Sequence, residues 1–117
     1  MRAHPTLSAL ALLLAASCAF AQSAPPLNQY LIEREIKGAG NMTPVQLRDA
    51  AQKSNGVLRA LGPDIQWVHS YVAGDKIYCV HEADDEEAIR EHARRGGFPA
   101  NAVTAIANEF GPHTAAS

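Results

Sequence analysis

The sequence predicts a small α+β domain in which strands and helices follow one another in the order β-α-β-β-α-β. Three observations predict this order. Two helical patterns each begin at a capping signal and end at glycine, a Gly-Asp turn separates two strand patterns in mid-chain, and one strand pattern lies at each end. Two right-handed crossovers around a central hairpin give the ferredoxin-like fold, a four-stranded antiparallel sheet with both helices on one face.

The first 21 residues have the pattern of a secretory signal peptide. Residues 7–16 are apolar, and Ala19-Phe20-Ala21 forms an A-x-A cleavage signal before Gln22. The apolar run is too short to span a bilayer. We therefore expect an exported protein, periplasmic or secreted, with no transmembrane span in the mature chain. A competing interpretation is a lipoprotein in which Cys18 carries the lipid.

The mature chain is long enough for one domain with a modest core. A leader is expected over residues 22–29, the domain over 30–111 and a tail over 112–117. Removing Arg2 from the ten Lys and Arg leaves nine, against twelve Asp and Glu. Because no basic stripe with interleaved aromatic residues is present, the charge pattern argues against a nucleic-acid partner. Cleavage also removes Cys18, so Cys79 has no second cysteine for an internal disulfide.

The first strand is predicted over residues 28–36 and the first helix over residues 44–61. The strand places Tyr30, Ile32 and Ile36 on one side together with Arg34. The helix begins at a capping box, with Thr43 as N-cap, proline at the first helical position and glutamine three residues after the cap. Gly62-Pro63 ends it.

The second half of the chain predicts a hairpin, a helix and a last strand. Residues 65–72 and 76–82 are strands around Gly74-Asp75, with a positive backbone angle at Gly74. Asp84 is the expected cap of the second helix, with Glu87 at the capping-box position. Gly96-Gly97 ends this helix, and a final strand is expected over residues 102–110.

The turn position predicts which side chains of the hairpin share a face. His69 lies opposite Val80 and Ser70 opposite Cys79 when Gly74-Asp75 is the tip. One face then carries bulky side chains: Trp67, His69, Tyr71, Tyr78, Val80 and Glu82. The other carries smaller ones: Val68, Ser70, Val72, Ile77, Cys79 and His81. We assign the smaller set to the core beneath the helices and the bulky set to the open face.

Two candidate sites follow from this assignment. Cys79 and His81 share the inner face, and His92 points toward it from the second helix, which together offer mixed sulfur and nitrogen ligands for a metal. The alternative is a buried thiol with two structural histidines. On the open face, His69 lies with Trp67 and Tyr71, and with Glu33 or Glu35 from the first strand.

The open-face group has two interpretations as well. It can line a ligand site with acid/base groups, or it can form an aromatic dimer seam. No Gly-x-Ser-x-Gly, Walker loop or dinucleotide fingerprint occurs, and Ser70 has no base at a fixed spacing. Enzymatic activity is therefore the less favoured interpretation.

Several segments resemble a widespread bacterial family of small, poorly characterised domains. They are "YLIEREI", "SNGVLRALGPDIQWVHSYV" and "DKIYCVHEADDEEAIREHARRGGFPA", and Trp67, Ser70-Tyr71, Cys79 and Gly97-Phe98-Pro99 match the family pattern. The best described member of this family is a nickel-binding protein with a ferredoxin-like fold. The resemblance, over about residues 30–110, implies that fold, a homodimer and nickel as a ligand.

The sequence as a whole predicts an exported protein that binds a divalent transition metal, such as nickel, or zinc or copper. The candidate ligands are His69, Cys79, His81 and His92 in some combination. The expected partner is a second copy on the open sheet face. Metal affinity is expected to fall as the pH drops through the imidazole range near 6.5. The alternatives are a dimeric small-ligand-binding or enzymatic domain using the open face, and a structural or interaction domain without chemistry.

Overall fold

The predicted ferredoxin-like α+β fold is confirmed by the computed structural model, which describes residues 1–3 and 26–117. The helices and strands are β1 (Asn28–Glu35), α1 (Pro44–Leu61), β2 (Ile65–Ala73), β3 (Lys76–Ala83), α2 (Glu86–Gly96) and β4 (Ala102–Ala105). All neighbouring strands are antiparallel, in the order β2-β3-β1-β4. The helices α1 and α2 contact each other and pack against β2 and β3 respectively.

The predicted signal peptide falls almost entirely outside the described residues. Only residues 1–3 of its 21 are described, and Cys18, the cleavage signal and residues 22–25 of the leader are not. Export and lipidation therefore stay predictions. Within residues 1–3 and 26–117, none of the helices combines the length and the hydropathy needed to span a bilayer.

Buried and more exposed side chains alternate along β1, because one row faces the helices and the other faces the open side of the sheet. Tyr30, Ile32 and Arg34 are buried, as the sequence pattern predicts for one side of this strand. The apolar core that they help to form is a small cluster: Tyr30, Ile32, Ile65, Cys79, Ala83 and Ile89. Arg34 is the charged residue in this buried row. Its exposed fraction is 3%, and a guanidinium group is rarely buried to that extent.

The helix α1 begins and ends where the sequence predicts. Thr43 accepts a hydrogen bond from the backbone N–H of Gln46 and its own N–H donates to the Gln46 side chain, which completes the capping box. Among the residues of α1 only Ser54 is buried. The apolar stripe of α1 is incompletely buried because a cavity separates part of it from the sheet.

The hairpin turn is the predicted two-residue turn, but β2 contains a bulge that changes which residues share a face. Gly74 has φ +60°, and His69 pairs with Val80 as expected. Beyond this pair the register shifts, so that Trp67 rather than Val68 lies opposite His81. The prediction that Trp67 lies on the open face is therefore wrong: it lies on the inner face, and Val68 joins His69 on the open one.

Two boundaries also differ from the prediction. The cap of α2 is Asp85, which accepts a hydrogen bond from the Ala88 N–H, and not Asp84. The last strand ends at Ala105 rather than continuing to residue 110. Ile106 still donates its N–H to the Gln29 carbonyl, but the following residues leave the sheet edge. Asn108 and Glu109 line a cleft over the open face together with Val68 and His69.

Candidate functional site

A cavity of about 570 Å³ lies between α1 and the inner face of the sheet. This volume is within the range of small-molecule sites, roughly 300–1,000 Å³. Most of its lining is apolar, including Ile36, Met42, Leu47, Ala50, Val72 and Ile77. Leu47 is 40% and Val72 39% exposed. These two residues therefore mark the side on which the cavity reaches the surface.

Two buried histidines form part of the cavity wall. His81 on β3 and His92 on α2 are each 1% exposed, and their ring centroids lie 5.1 Å apart with a 59° angle between the planes. His92 Nε2 is 3.0 Å from the Ser54 Oγ. Within the described residues, both ring nitrogens of His81 and the Nδ1 of His92 are buried without any hydrogen-bond partner. Since an unsatisfied buried polar group costs about 1–3 kcal/mol, these nitrogens are available to bind a water molecule or a ligand.

Both imidazoles are held in the neutral form. Burial, the neighbouring His92 and the Arg34 charge lower the pKa of His81 to about 3. Burial and Arg34 lower the pKa of His92 to about 4. Because a neutral imidazole has one nitrogen lone pair free, the two side chains can each donate to a metal ion or accept a hydrogen bond at neutral pH.

Arg34 brings a positive charge into the same wall. Its Nε donates to the Cys79 Sγ at 3.4 Å and its Nη1 to the Pro99 carbonyl at 2.6 Å. Its guanidinium carbon also lies 5.5 Å from the centroid of the Phe98 ring. In residues 26–117 no carboxylate forms an ion pair with Arg34, although the exposed Lys76, Arg90, Arg94 and Arg95 all form such pairs. The guanidinium is therefore buried with a thiol, a carbonyl and an aromatic ring as its partners.

The loop after α2 holds these groups in place. Gly97 adopts φ +68° and ends the helix, so the chain turns back and places Phe98 over His92, with 5.4 Å between ring centroids. A Cβ at Gly96 would collide with the Phe98 ring. Pro99 then presents its carbonyl to Arg34. The Gly97-Phe98-Pro99 motif therefore builds one wall of the cavity.

The bulge in β2 places Trp67 in the cavity wall as well. Its indole Nε1 donates to the Ser70 Oγ at 2.9 Å, and both side chains line the cavity. The extra residue in β2 is what turns Trp67 inward, because each one-residue shift moves a side chain to the other face of a sheet. Trp67, Ser70, Cys79 and Phe98 from the family pattern all meet at this cavity.

The four predicted metal ligands are divided between the two faces of the sheet. Cys79, His81 and His92 line the cavity, as the face assignment predicts, whereas His69 is exposed on the open face with Tyr71, 5.0 Å away between ring centroids. No three His, Cys, Asp or Glu side chains in residues 1–3 and 26–117 are arranged to hold one metal ion. Cys79 therefore does not complete a three-ligand set with the two histidines.

The predicted carboxylate neighbours of His69 are not there. Because β3 lies between β1 and β2, Glu33 and Glu35 are separated from His69, and both contact Lys76 instead. The cleft beside His69 has a volume of about 280 Å³. The open face therefore offers a smaller site than the cavity does.

Two cavity residues, Arg34 and Ser54, are not among the candidate site residues that the sequence predicts, and a third, Trp67, is predicted at the other face. Arg34 gave a signal, because it is a charged residue in an otherwise apolar row of β1. Ser54 gave a weaker signal as a polar residue in the apolar stripe of α1. Trp67 is predicted at the open-face site, because the sequence does not reveal the bulge that turns it inward.

Comparison with known proteins agrees with the resemblance seen in the sequence. The crystal structure of SCO4226 from Streptomyces coelicolor A3(2) is similar to this chain, with a TM-score of 0.60 and 20% sequence identity. The match covers 70% of this chain and 99% of that one, and at this identity it shows the fold alone. No curated protein matches the chain. The family model described as "Nickel responsive protein SCO4226-like" matches residues 30–106, and the chain therefore belongs to that family.

Proposed function

We propose that this protein is exported and binds a divalent transition metal through His81 and His92, with nickel as the favoured metal. The observation that carries the proposal is the set of three buried imidazole nitrogens without a hydrogen-bond partner in the described residues. A metal ion would satisfy one nitrogen of each ring. The description of the family as nickel responsive supports nickel over zinc and copper.

The donor atoms fit such an ion in kind and in protonation state. Imidazole is a good ligand for nickel, copper and zinc, and lowered pKa values leave both rings neutral at pH 7. Two imidazoles that share an ion at about 2.1 Å have ring centroids roughly 5 Å apart, and the observed separation is 5.1 Å. In residues 1–3 and 26–117 no third His, Cys, Asp or Glu side chain completes a metal site with these two, so water or a small molecule in the cavity would supply the other ligands.

Nickel titration of the mature protein tests this proposal. The untagged chain from Gln22 onward is stripped of metal and titrated by calorimetry, alongside the variants H81Q, H92Q, H69Q and C79S. We expect H81Q and H92Q to weaken nickel binding at least about tenfold. Loss of a residue that only hydrogen-bonds to a metal ligand already changes metal affinity by that much. H69Q, which changes an exposed histidine, and C79S should bind as the parent does.

The pattern of losses distinguishes the two faces of the sheet. Loss of nickel binding in H69Q with full binding in H81Q and H92Q would move the site to the open face. Equal binding by the parent and all four variants would show that these side chains are structural. Parallel titrations with zinc and copper measure selectivity, and intrinsic ligand affinity alone favours copper over nickel.

Export is the second part of the proposal and is supported by the apolar run and the A-x-A signal before Gln22. Expression of the full chain with its leader, followed by mass spectrometry of the envelope fraction, tests it. A mature N-terminus at Gln22 is expected. A lipidated N-terminus at Cys18 would establish the lipoprotein interpretation instead, and an intact Met1 in the cytoplasm would contradict export.

We also propose that two copies pair through the open sheet face. The support is exposed apolar surface on that face, where Val68 is 46% and Tyr71 63% exposed. Because Trp67 lies on the inner face, the seam is centred on Val68, His69 and Tyr71. Light scattering after size-exclusion chromatography should give twice the mass of the mature chain. A clean monomer at high micromolar concentration, or a dimer unchanged by Y71D, would contradict this seam.

A further inference from the structure

The buried guanidinium of Arg34 has no anionic partner among the described residues. It is 3% exposed, and its recorded hydrogen bonds run from Nε to the Cys79 Sγ and from Nη1 to the Pro99 carbonyl. In residues 26–117 the structure gives its Nη2 no hydrogen bond, while Arg34 lines the cavity. A buried charge is strongly unfavourable unless it is paired and its hydrogen bonds are satisfied. A complementary anion in the cavity would satisfy both conditions.

We propose that the cavity binds a small organic carboxylate with an apolar body, its carboxylate paired with Arg34. Guanidinium groups recognise carboxylates through charge-assisted hydrogen bonds of matching planar geometry. His81 and His92 line the same cavity, and a neutral imidazole N–H can donate to a carboxylate oxygen.

The rest of the cavity determines the body of the ligand. Its walls are mostly aliphatic and aromatic, and they include Trp67 and Phe98. Such walls cannot replace the water around a multiply charged anion, and one guanidinium balances one negative charge. A monocarboxylate on an aromatic ring or a short aliphatic chain fits both the charge and the lining. The volume of about 570 Å³ accommodates a ligand of this size.

This site goes beyond nickel binding and does not depend on it. A carboxylate beside Arg34 also offsets the repulsion between the guanidinium and a cation at the two histidines. Its oxygen atoms are suitable ligands for a divalent metal, and the part of the chain that the structure describes gives the histidine pair no third ligand. One cavity can therefore hold the carboxylate alone or together with the metal.

Binding of defined carboxylates to metal-free protein tests the proposal. The probes are benzoate, phenylacetate and hexanoate, each compared with its uncharged amide, and titrations are followed by amide chemical shifts in excess EDTA. We expect the best acid to bind with a dissociation constant below 1 mM, the order of weak specific ligands. Its amide should bind at least about tenfold more weakly, because the amide lacks the charge that pairs with Arg34.

Two variants locate the site. R34M removes the charge but keeps much of the side-chain volume, and A50L fills the cavity from α1 while leaving Arg34 in place. Both should weaken carboxylate binding at least about tenfold, whereas R90M, at an exposed ion pair, should not change it. If R34M does not fold, A50L and the amide comparison still decide the question.

Four results would overturn the proposal: no acid binding below 10 mM, amides binding as tightly as acids, unchanged binding in folded R34M, or unchanged binding in folded A50L. Because EDTA removes metal, none of these results depends on whether nickel binds. Conversely, acid binding by metal-free protein that shows no nickel binding would support the carboxylate site and contradict only the metal proposal.

Discussion

Acidification should destabilise this protein between pH 6.5 and pH 4, because two buried histidines resist protonation. The pKa of His81 falls from 6.5 to about 3 on folding, and that of His92 from 6.5 to about 4. Below pH 6.5 the unfolded chain binds protons that the folded chain does not bind. The stability contributed by neutral histidines is therefore complete above pH 6.5 and is lost progressively as the pH falls toward the folded pKa values.

The size of the effect follows from the same shifts. A pH of 5 lies 1.5 units below the pKa of each histidine in the unfolded chain, while both rings are still neutral in the folded protein. Each histidine therefore lowers the free energy of unfolding by about 2 kcal/mol relative to pH 7.5. The two together lower the free energy of unfolding by about 4 kcal/mol. This is a large part of the roughly 5–15 kcal/mol that stabilises a typical domain. The carboxylate of Glu91, whose pKa lies below 4.5, contributes only at lower pH.

Urea unfolding in EDTA at pH 7.5 and pH 5.0, followed by the fluorescence of Trp67, measures this difference. Trp67 is the one tryptophan in the sequence, and it lies in the cavity wall. H92Q should lose about half of the pH dependence, since it removes one of the two titrating rings. H69Q, at the exposed histidine, should retain all of it. A pH dependence in H92Q equal to that of the parent would refute the reasoning.

Two further predictions concern the cavity wall. Gly96→Ala should lower the free energy of unfolding by about 1–3 kcal/mol, because its Cβ would collide with Phe98, whereas Gly56→Ala in the open interior of α1 should raise it by about 0.5–1 kcal/mol. Ser54→Ala should cost about 1–3 kcal/mol by leaving His92 Nε2 unpartnered, and Ser54→Thr should recover part of that loss. Urea titration at pH 7.5 measures all four changes, and equal effects of the two glycine variants would contradict the first.

The fold could be predicted because its determining signals are local. Thr43 and the following proline set the start of α1, and Gly74 with Asp75 sets the hairpin pairing as far as His69. The two boundary errors have different causes. Asp84 and Asp85 are both good caps, and only the backbone shows which one begins the helix. Residues 106–110 leave the sheet although their composition allows a strand.

The site was predictable only in part because it depends on long-range packing. The position of the hairpin turn predicts correctly that Cys79 and His81 lie on the inner face. The spacing of apolar residues along α2 predicts correctly that His92 points toward the same face. The bulge that moves Trp67 inward is an extra residue in β2, and turn chemistry at Gly74-Asp75 carries no information about it. Arg34 was visible in the inner row of β1, but its role depends on the lack of a carboxylate partner within residues 26–117, which no local pattern reveals.

Burial of the histidines also changes the expected pH dependence of nickel binding. The sequence alone suggests that affinity falls below pH 6.5, where an ordinary imidazole becomes protonated. With pKa values of about 3 and 4, His81 and His92 remain neutral in the folded protein well below that range. Nickel affinity should therefore change less than twofold between pH 7.5 and pH 5.5. A site built from exposed imidazoles would lose about tenfold per ligand over the same interval. Calorimetric titration of the folded protein at both pH values distinguishes the two, and a steep loss would place the nickel outside the cavity.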